Sequence, residues 1–455
     1  MSTVAAISTP NAVGGIAVIR ISGEKALDVA ERIFSPFGKF KKKVSEMDGY
    51  TCAYGIAHDS GERIDDCILT VFKSPHSYTG EDTAEISCHG GLFVSRKILR
   101  AALKSGAVTA EPGEFTKRAF LNGKLDLTQA EAVMDIISAK GELELQMAET
   151  LREGAVFKKA RKCSERLLRL LSGLAAWADY PDDDIPEVEP KHICSELESV
   201  SGELFSLISS YDDGRIIREG IPSAIVGRPN VGKSTLFNCL SGCERSIVTD
   251  IAGTTRDIVE ETVKLGDIVL RLSDTAGIHD TSDVIEGIGV EIAEKTIETA
   301  ELVIAVFDGS CSPTTDDFDL INKIKNKKCI AVINKSDAGI VPEFSEIENQ
   351  FIHKVYISAK ENTGISRLET AIEKLFEISP DSFSAVSVAN ERQKQCIESA
   401  LESINNALYA IKSGEMLDAI NVLIDEAEQH ILELTGEKIT EAVVNEVFSR
   451  FCVGK

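Results

Sequence analysis

Gly227-Arg228-Pro229-Asn230-Val231-Gly232-Lys233-Ser234 has the residue types and spacing of a loop that wraps a phosphate. Glycines at its two ends let the backbone curl and turn its N–H groups inward. Lys233 places a point charge on the outer phosphates, and Ser234 offers a hydroxyl to Mg2+. The apolar Ala224-Ile225-Val226 in front reads as a buried strand. Ser234, Thr235 and the residues to Asn238 read as the first turn of a helix, whose amino end favours anions. Strand, loop and helix in this order imply a nucleotide site.

Two further stretches narrow the base. Asn334-Lys335-Ser336-Asp337 follows the apolar run 329–333, a buried-strand pattern. An aspartate there accepts from both N1–H and the exocyclic amine of guanine, a donor pair that adenine lacks. Ser358-Ala359-Lys360, after Val355-Tyr356-Ile357, completes a guanine pocket. Asp274-Thr275-Ala276-Gly277 follows the apolar run 268–272, where a strand end would place Asp274 on the water shell of Mg2+. Each motif alone could be an ordinary turn. In this order they imply a GTP-hydrolysing domain, similar to the translation-factor-related branch.

The hydrolytic apparatus has a gap. Many such domains orient the attacking water with Gln after Asp-Thr-Ala-Gly. Here Ile278 holds that position and cannot hydrogen-bond water. Glu286 is the nearest substitute, with an ordinary surface glutamate as the plainer alternative. Thr249-Asp250-Ile251-Ala252-Gly253-Thr254-Thr255 lies between the phosphate loop and Asp274. Thr255 is the candidate to close over Mg2+ and the γ-phosphate. Asn230, with backbone carbonyls of loop 249–254, offers a cage for K+, which would neutralise charge developing between the phosphates.

Around these residues the chain has ordinary globular composition: 455 residues, 43% hydrophobic and 27% charged. That length predicts roughly three domains. Residues 1–118 read as α/β, with strands at 16–21, 67–72 and one ending near Cys88-His89, and helices at 26–34 and 92–104. Residues 119–215 and 378–455 read as helical, and 216–377 as the nucleotide domain, inserted as a loop into one discontinuous helical domain. Thr128-Gln129-Ala130-Glu131 reads as the capping box of a long helix. The formal net charge of −24 excludes indiscriminate nucleic-acid binding but not a focused basic patch. Lys39, Lys41, Lys42 and Lys43 form one basic run, which reads as a solvated turn rather than an RNA contact, and Lys158, Lys159, Arg161 and Lys162 form a second, on a helical stretch. Eleven cysteines without a C-x-x-C read as small buried residues of a reducing compartment. Cys88-His89 lacks a recognisable third group, and Asp182-Asp183-Asp184 reads as a solvated turn. With no basic leader or long apolar run at the N-terminus, the expected location is cytoplasmic, away from membranes.

Five longer stretches carry a resemblance: 14–23 (GGIAVIRISG), 77–91 (SYTGEDTAEISCHGG), 111–132 (EPGEFTKRAFLNGKLDLTQAEA), 249–257 (TDIAGTTRD) and Cys452-Val453-Gly454-Lys455. Along essentially its whole length the chain resembles the MnmE (TrmE) family of bacterial tRNA-modification GTPases. The resemblance implies an N-terminal domain that dimerises and binds a tetrahydrofolate derivative in its 5-formyl or methylene form. It implies nucleotide domains that meet across a K+-dependent homodimer interface. It also implies an FAD-containing MnmG partner, jointly adding an aminomethyl or carboxymethylaminomethyl group to C5 of the wobble uridine of certain tRNAs. Residue by residue, Asn230 resembles the K+ side-chain ligand, and Thr249, Ile251 and Thr254 its backbone ligands. Ser234 and Thr255 match the Mg2+ positions, and Glu286 the water-positioning glutamate. With Lys233, the residues Asn230, Thr255 and Glu286 make up the expected catalytic set. Arg20, Glu85, Lys124 and Lys455 match the folate contacts. His279 stands where some relatives carry Arg, so that residue's role does not transfer. Cys452 reads equally as a reactive thiol or as a buried small residue that positions the tail.

The rival from another class is a regulatory RNA- or ribosome-binding GTPase switch without modification chemistry. Such a switch needs neither the folate-like motifs nor the terminal tail. A membrane-remodelling GTPase would need an apolar or basic tip, and none is evident.

Overall fold

The computed structural model describes residues 1–38, 42–179, 189–209, 211–242, 260–266, 268–273, 296–377 and 388–455. The chain divides into two compact units. Unit 1 comprises Met1–Met134, Arg152–Leu204 and Gln395–Lys455, and unit 2 comprises Asp135–Leu151 and Phe205–Lys394.

Unit 1 is built on a seven-stranded sheet. Its strands are β1 (Val4–Ile7), β2 (Ile16–Ser22), β3 (Phe34–Pro36), β4 (Thr51–Asp59), β5 (Glu62–Phe72), β6 (Thr83–His89) and β7 (Val108–Thr109), in the order β3-β4-β5-β6-β2-β1-β7. Every pairing is antiparallel except β1 with β7. Alternation puts Ile19, Ile21, Leu69, Val71 and Ile86 on one face. There they pack into a core with α1 (Ala26–Ile33) and α2 (Leu92–Lys104). The opposite face carries Arg20 and Glu85, paired across β2 and β6. The strands and helices expected in 1–118 all appear, with bounds displaced by a few residues.

Next come α3 (Glu114–Leu121), α4 (Leu127–Ser138), α5 (Glu142–Arg152), α6 (Ala155–Asp179), α7 (Pro190–Ile208) and α8 (Tyr211–Glu219). The capping box of α4 lies two residues earlier than expected. Asp126 Oδ1 accepts from the Gln129 N–H (3.0 Å), and Gln129 Oε1 accepts from the Asp126 N–H (3.0 Å). Asp caps as well as Thr, and its carboxylate captures the first turn. Towards the C-terminus lie α13 (Glu391–Ser413), α14 (Leu417–Thr435) and α15 (Glu441–Ser449). α6 packs along α14. In that seam Glu428 is 1% exposed. Ser164 Oγ donates to its Oε1 (2.7 Å), while Oε2 has no partner. Burial pushes the Glu428 carboxyl up to about 7.

Unit 2 is built on a six-stranded sheet in the order β13-β12-β11-β8-β10-β9. The strands are β8 (Ile221–Val226), β9 (Glu260–Leu265), β10 (Ile268–Ser273), β11 (Leu302–Asp308), β12 (Lys328–Asn334) and β13 (Lys354–Tyr356). All pairs are parallel except β9 with β10. Helices α9 (Lys233–Gly242), α10 (Thr315–Ile324), α11 (Ser345–Glu348) and α12 (Ile365–Leu375) follow its strands, and α5 and α8 fall in the same unit. β11 is buried at every position because separate apolar clusters cover the two sides of the sheet. Such a doubly covered parallel sheet directs its ligand site to the carboxyl ends of the strands.

Candidate functional site

The phosphate loop leaves the end of β8 and enters α9 at Lys233. Gly232 sits at φ +100°, and a Cβ there would lie 2.2 Å from Asn334 Nδ2, so only glycine fits. Asn230 takes φ +65°, a left-handed bend that asparagine tolerates. The Lys233 ammonium crosses beneath the loop and donates to the carbonyls of Gly227 (2.8 Å) and Arg228 (2.9 Å). Burial holds its pKa below the usual lysine value. A partly desolvated cation beside the amino end of α9 favours a bound polyanion.

Asn334 ends β12 and is 3% exposed. Its Nδ2 donates to the Val231 carbonyl (2.8 Å), and its Oδ1 accepts from the Ala359 N–H (3.0 Å). One amide thus joins the phosphate loop to the Ser358-Ala359-Lys360 turn. Lys335 takes φ +60° and pairs with Asp308 at the end of β11 (2.6 Å). Burial would raise the Asp308 carboxyl, but Lys335 and Ser310 outweigh it and hold the pKa low. Asp337 follows in a single 3-10 turn, Ser336–Ala338. The buried Ser358 hydroxyl, then Lys360 and Lys335, hold its exposed carboxyl below the usual range. The structure therefore gathers Asn230–Thr235, Asn334, Lys335, Asp337 and Ser358–Lys360 at one end of one sheet. Thr249 to Thr255, Asp274 to Gly277, Ile278, His279 and Glu286 lie outside the described residues.

The sequence reading missed Arg228, an unspecified position of the loop pattern. Its Nη2 donates to Cys311 Sγ (2.8 Å), and its Nε stands 3.4 Å from Asp317, a buried residue that also caps α10. Only a contact map could have found it.

In unit 1, Arg20 Nε donates to Glu85 Oε1 (2.7 Å). The guanidinium lies against the rings of Tyr78 (5.6 Å) and Phe115 (5.4 Å). Arg20, Phe72, Tyr78, Thr83, Glu85 and Lys455 enclose a cavity of about 240 Å3. The tail reaches it through backbone bonds. The N–H groups of Gly113 and Phe115 donate to the carbonyls of Cys452 (3.3 Å) and Lys455 (3.0 Å), and Val453 bridges to Pro112. Gly454 takes φ +96°, where a Cβ would come within 2.4 Å of the Ile7 carbonyl. Three of the four expected folate contacts thus share one cavity. Lys124 does not line it. Its Nζ donates to the Pro75 carbonyl (3.1 Å), and it borders a separate groove of about 920 Å3.

Cys452 is exposed, which overturns its reading as a buried residue. Its carbonyl, not its thiol, holds the tail. Cys88 is buried, with its thiol pushed up to about 11 by burial, so it is no nucleophile. His89 is exposed and pairs instead with Asp65, whose Oδ1 is 2.8 Å from Nδ1, and the two form no catalytic or metal constellation with Cys88. Cys239 donates to Asn362 (2.8 Å), and Cys243 and Asp182–Asp184 lie outside the described residues. Among the described residues no cluster of His, Cys, Asp or Glu is arranged for a metal, and no helix is long and apolar enough to cross a membrane.

A parallel sheet with a phosphate loop after one strand and a guanine-type Asn-Lys-Ser-Asp turn after another defines the class of P-loop guanine-nucleotide-binding proteins. Two family models match the chain: the MnmE helical domain over residues 127–452 and the GTP-binding protein TrmE N-terminus over residues 3–124. It is 42% identical over 460 residues to the tRNA modification GTPase MnmE of Acetivibrio thermocellus, covering 100% of this chain and 99% of that one. The proteins of the same name from Caldicellulosiruptor saccharolyticus and Clostridioides difficile are 42% and 39% identical over 458 residues, with the same coverage. The chain belongs to the MnmE family.

Proposed function

We propose that the chain hydrolyses GTP in the service of tRNA modification. The observation that carries the nucleotide half is Asn334, whose single buried amide holds the phosphate loop and the base-binding turn in one frame. Lys233 and the amino end of α9 bind the phosphates. Asp337, kept ionised by Ser358 and Lys360, accepts the two guanine donors. Ser234 and Thr255 are the proposed Mg2+ ligands, and Asn230 with the carbonyls of Thr249, Ile251 and Thr254 the K+ ligands. Bound there, the cations supply positive charge where the phosphates develop negative charge. Glu286 is the proposed group that orients water, completed when two nucleotide domains meet in a homodimer.

The full-length similarity to proteins named tRNA modification GTPases supports the second half. In this reading Arg20, Glu85 and Lys455 hold the ring of a tetrahydrofolate derivative, with Lys124 nearby. Whole-ligand pockets measure about 300–1,000 Å3. The smaller cavity here therefore takes the ring and leaves the tail outside. An FAD-containing MnmG-like partner joins in the cytoplasm to modify C5 of the wobble uridine. The proposed domains are 1–118, 119–215, 216–377 and 378–455. A pure regulatory switch has no use for the Arg20–Glu85 cavity.

Two experiments test this. Asp337→Asn replaces an acceptor by a donor, and should shift hydrolysis from GTP towards xanthosine triphosphate. Unchanged GTP preference would refute the assigned base site. Mass spectrometry of tRNA nucleosides from cells lacking the protein should show loss of the C5 substituent, and intact nucleosides would refute the tRNA role.

A further inference from the structure

In a chain of net charge −24, helix α6 is strongly cationic on one side. From 155 to 178 it carries Lys158, Lys159, Arg161, Lys162, Arg166 and Arg169 against Glu165 alone. At about 100° per residue these cations share one face. Val156, Ala160, Cys163, Leu167, Leu170 and Leu174 are buried on the opposite face. Arg166 belongs to the fold: its side chain is 14% exposed and clamped by Glu196 and Glu203 of α7. Lys158, Arg161, Lys162 and Arg169 face solvent, and Lys159 is half-buried. Arg161 and Lys162 have side chains 61% and 65% exposed, and hold Glu165 (3.3 Å) and Glu203 (3.0 Å) in contacts that open at little cost. Among the described residues, Lys158 and Lys159 have no carboxylate in ion-pair contact, and Arg169 Nε donates only to a backbone carbonyl. Further along the helix stands Trp177, the chain's one tryptophan, 36% exposed.

We infer that this face of α6 is where the protein holds RNA, through Lys158, Arg161, Lys162 and Arg169 on phosphates, with Trp177 beside them to meet an unpaired base. The inference rests on the tRNA-modification reading. From Lys158 to Arg169 the row runs about 16 Å at roughly 1.5 Å per residue. A nucleic-acid duplex presents a charge every ~1.7 Å of its axis, so phosphates lie within reach all along the row. Aromatic side chains next to such a row stack on bases. A membrane-seated helix would instead turn a continuous apolar face outward, and α6 buries its apolar stripe, leaving Leu168 and Trp177 as its exposed large apolar side chains.

The test is binding of fluorescein-labelled unfractionated tRNA to the full chain, by anisotropy and by quenching of Trp177, over a salt series. The triple variant Lys158→Ala/Arg161→Ala/Arg169→Ala should bind at least tenfold more weakly. Its slope of log affinity against log salt should be shallower by about two to three. A Lys325→Ala/Lys412→Ala control should match the wild type. A melting temperature equal to the wild type's shows that the triple variant is folded, and the single charge reversal Arg169→Glu replaces it otherwise. Wild-type affinity in these variants would overturn the inference and leave the tRNA role standing. No binding by the wild type would overturn the inference as well, the tRNA role itself being decided by the nucleoside mass spectrometry. Vesicles of phosphatidylserine that bind the wild type but not the triple variant, with tRNA binding equal in the two, would assign the face to lipid and overturn the inference.

Discussion

Replacing Glu428 by Gln should stabilise unit 1 at alkaline pH and lose that advantage on acidification. The carboxyl is buried in the α6–α14 seam and titrates near about 7, against an ordinary 4.5. Below pH 4.5 it is neutral in both folded and unfolded chains and has no effect. As pH rises from there to about 7, the unfolded chain gives up the proton while the folded chain keeps it, so stability falls. Above that range the full penalty applies, about 3 kcal/mol at roughly 1.4 kcal/mol per pH unit. Gln keeps an acceptor for Ser164 and cannot ionise. Its amide still lacks a partner, which offsets about 1–3 kcal/mol at every pH, so the difference between pH values is the safer readout. The isoelectric point of ≈4.8 sets the acid limit for solubility. Between about pH 5.5 and pH 8.5 the variant's advantage should grow by about 2 kcal/mol. Urea unfolding followed by Trp177 fluorescence reports on this unit, because Trp177 and Ser164 share α6. Parallel stability curves for the two proteins across that range would refute the assignment of a neutral, buried Glu428.

Gly232→Ala should weaken GDP binding about a hundredfold, because its Cβ must displace Asn334 and strain the loop by about 1–3 kcal/mol on top of the lost hydrogen bond. Titration with a fluorescent GDP analogue checks it. GTP hydrolysis should run several-fold faster in K+ than in Na+ buffer, and Asn230→Ala should abolish the difference. Equal initial rates for the unaltered protein in the two salts would exclude the cation cage. Gly454→Ala should expel the tail from beside Ile7 and cost most of the affinity for 5-formyl-tetrahydrofolate, while the melting temperature changes little. Calorimetry with that ligand decides.

The nucleotide site was legible because its parts are contiguous: glycine spacing, a buried apolar run before each motif, and a helix after the first. The register of β2 on β6 was not, since nothing local says that Arg20 faces Glu85 across a sheet. Arg228 escaped because the phosphate-loop pattern leaves its position open, and its partners Cys311 and Asp317 lie far along the chain. Asp65 escaped for the same reason, so His89 looked solitary. The α4 cap was misplaced because Thr128 and Glu131 satisfy the same spacing rule as Asp126 and Gln129, and only geometry separates them. Cys452 could not be placed, because burial of a tail residue depends on what it folds against.

Unit 1 has a consequence for how the protein is born. Ser164 and Glu428, bonded in its seam, are 264 residues apart in sequence. At roughly 5–20 residues per second, a ribosome needs on the order of 10–50 seconds to travel between them. For most of that interval α6 has α7 beside it, through Glu196 and Glu203, but lacks α14, while residues 205–394 of unit 2 are made and can fold. The nascent chain therefore exposes a sticky helix for longer than most domains take to fold, and its yield in cells should depend on chaperones that shield that helix until α14 arrives.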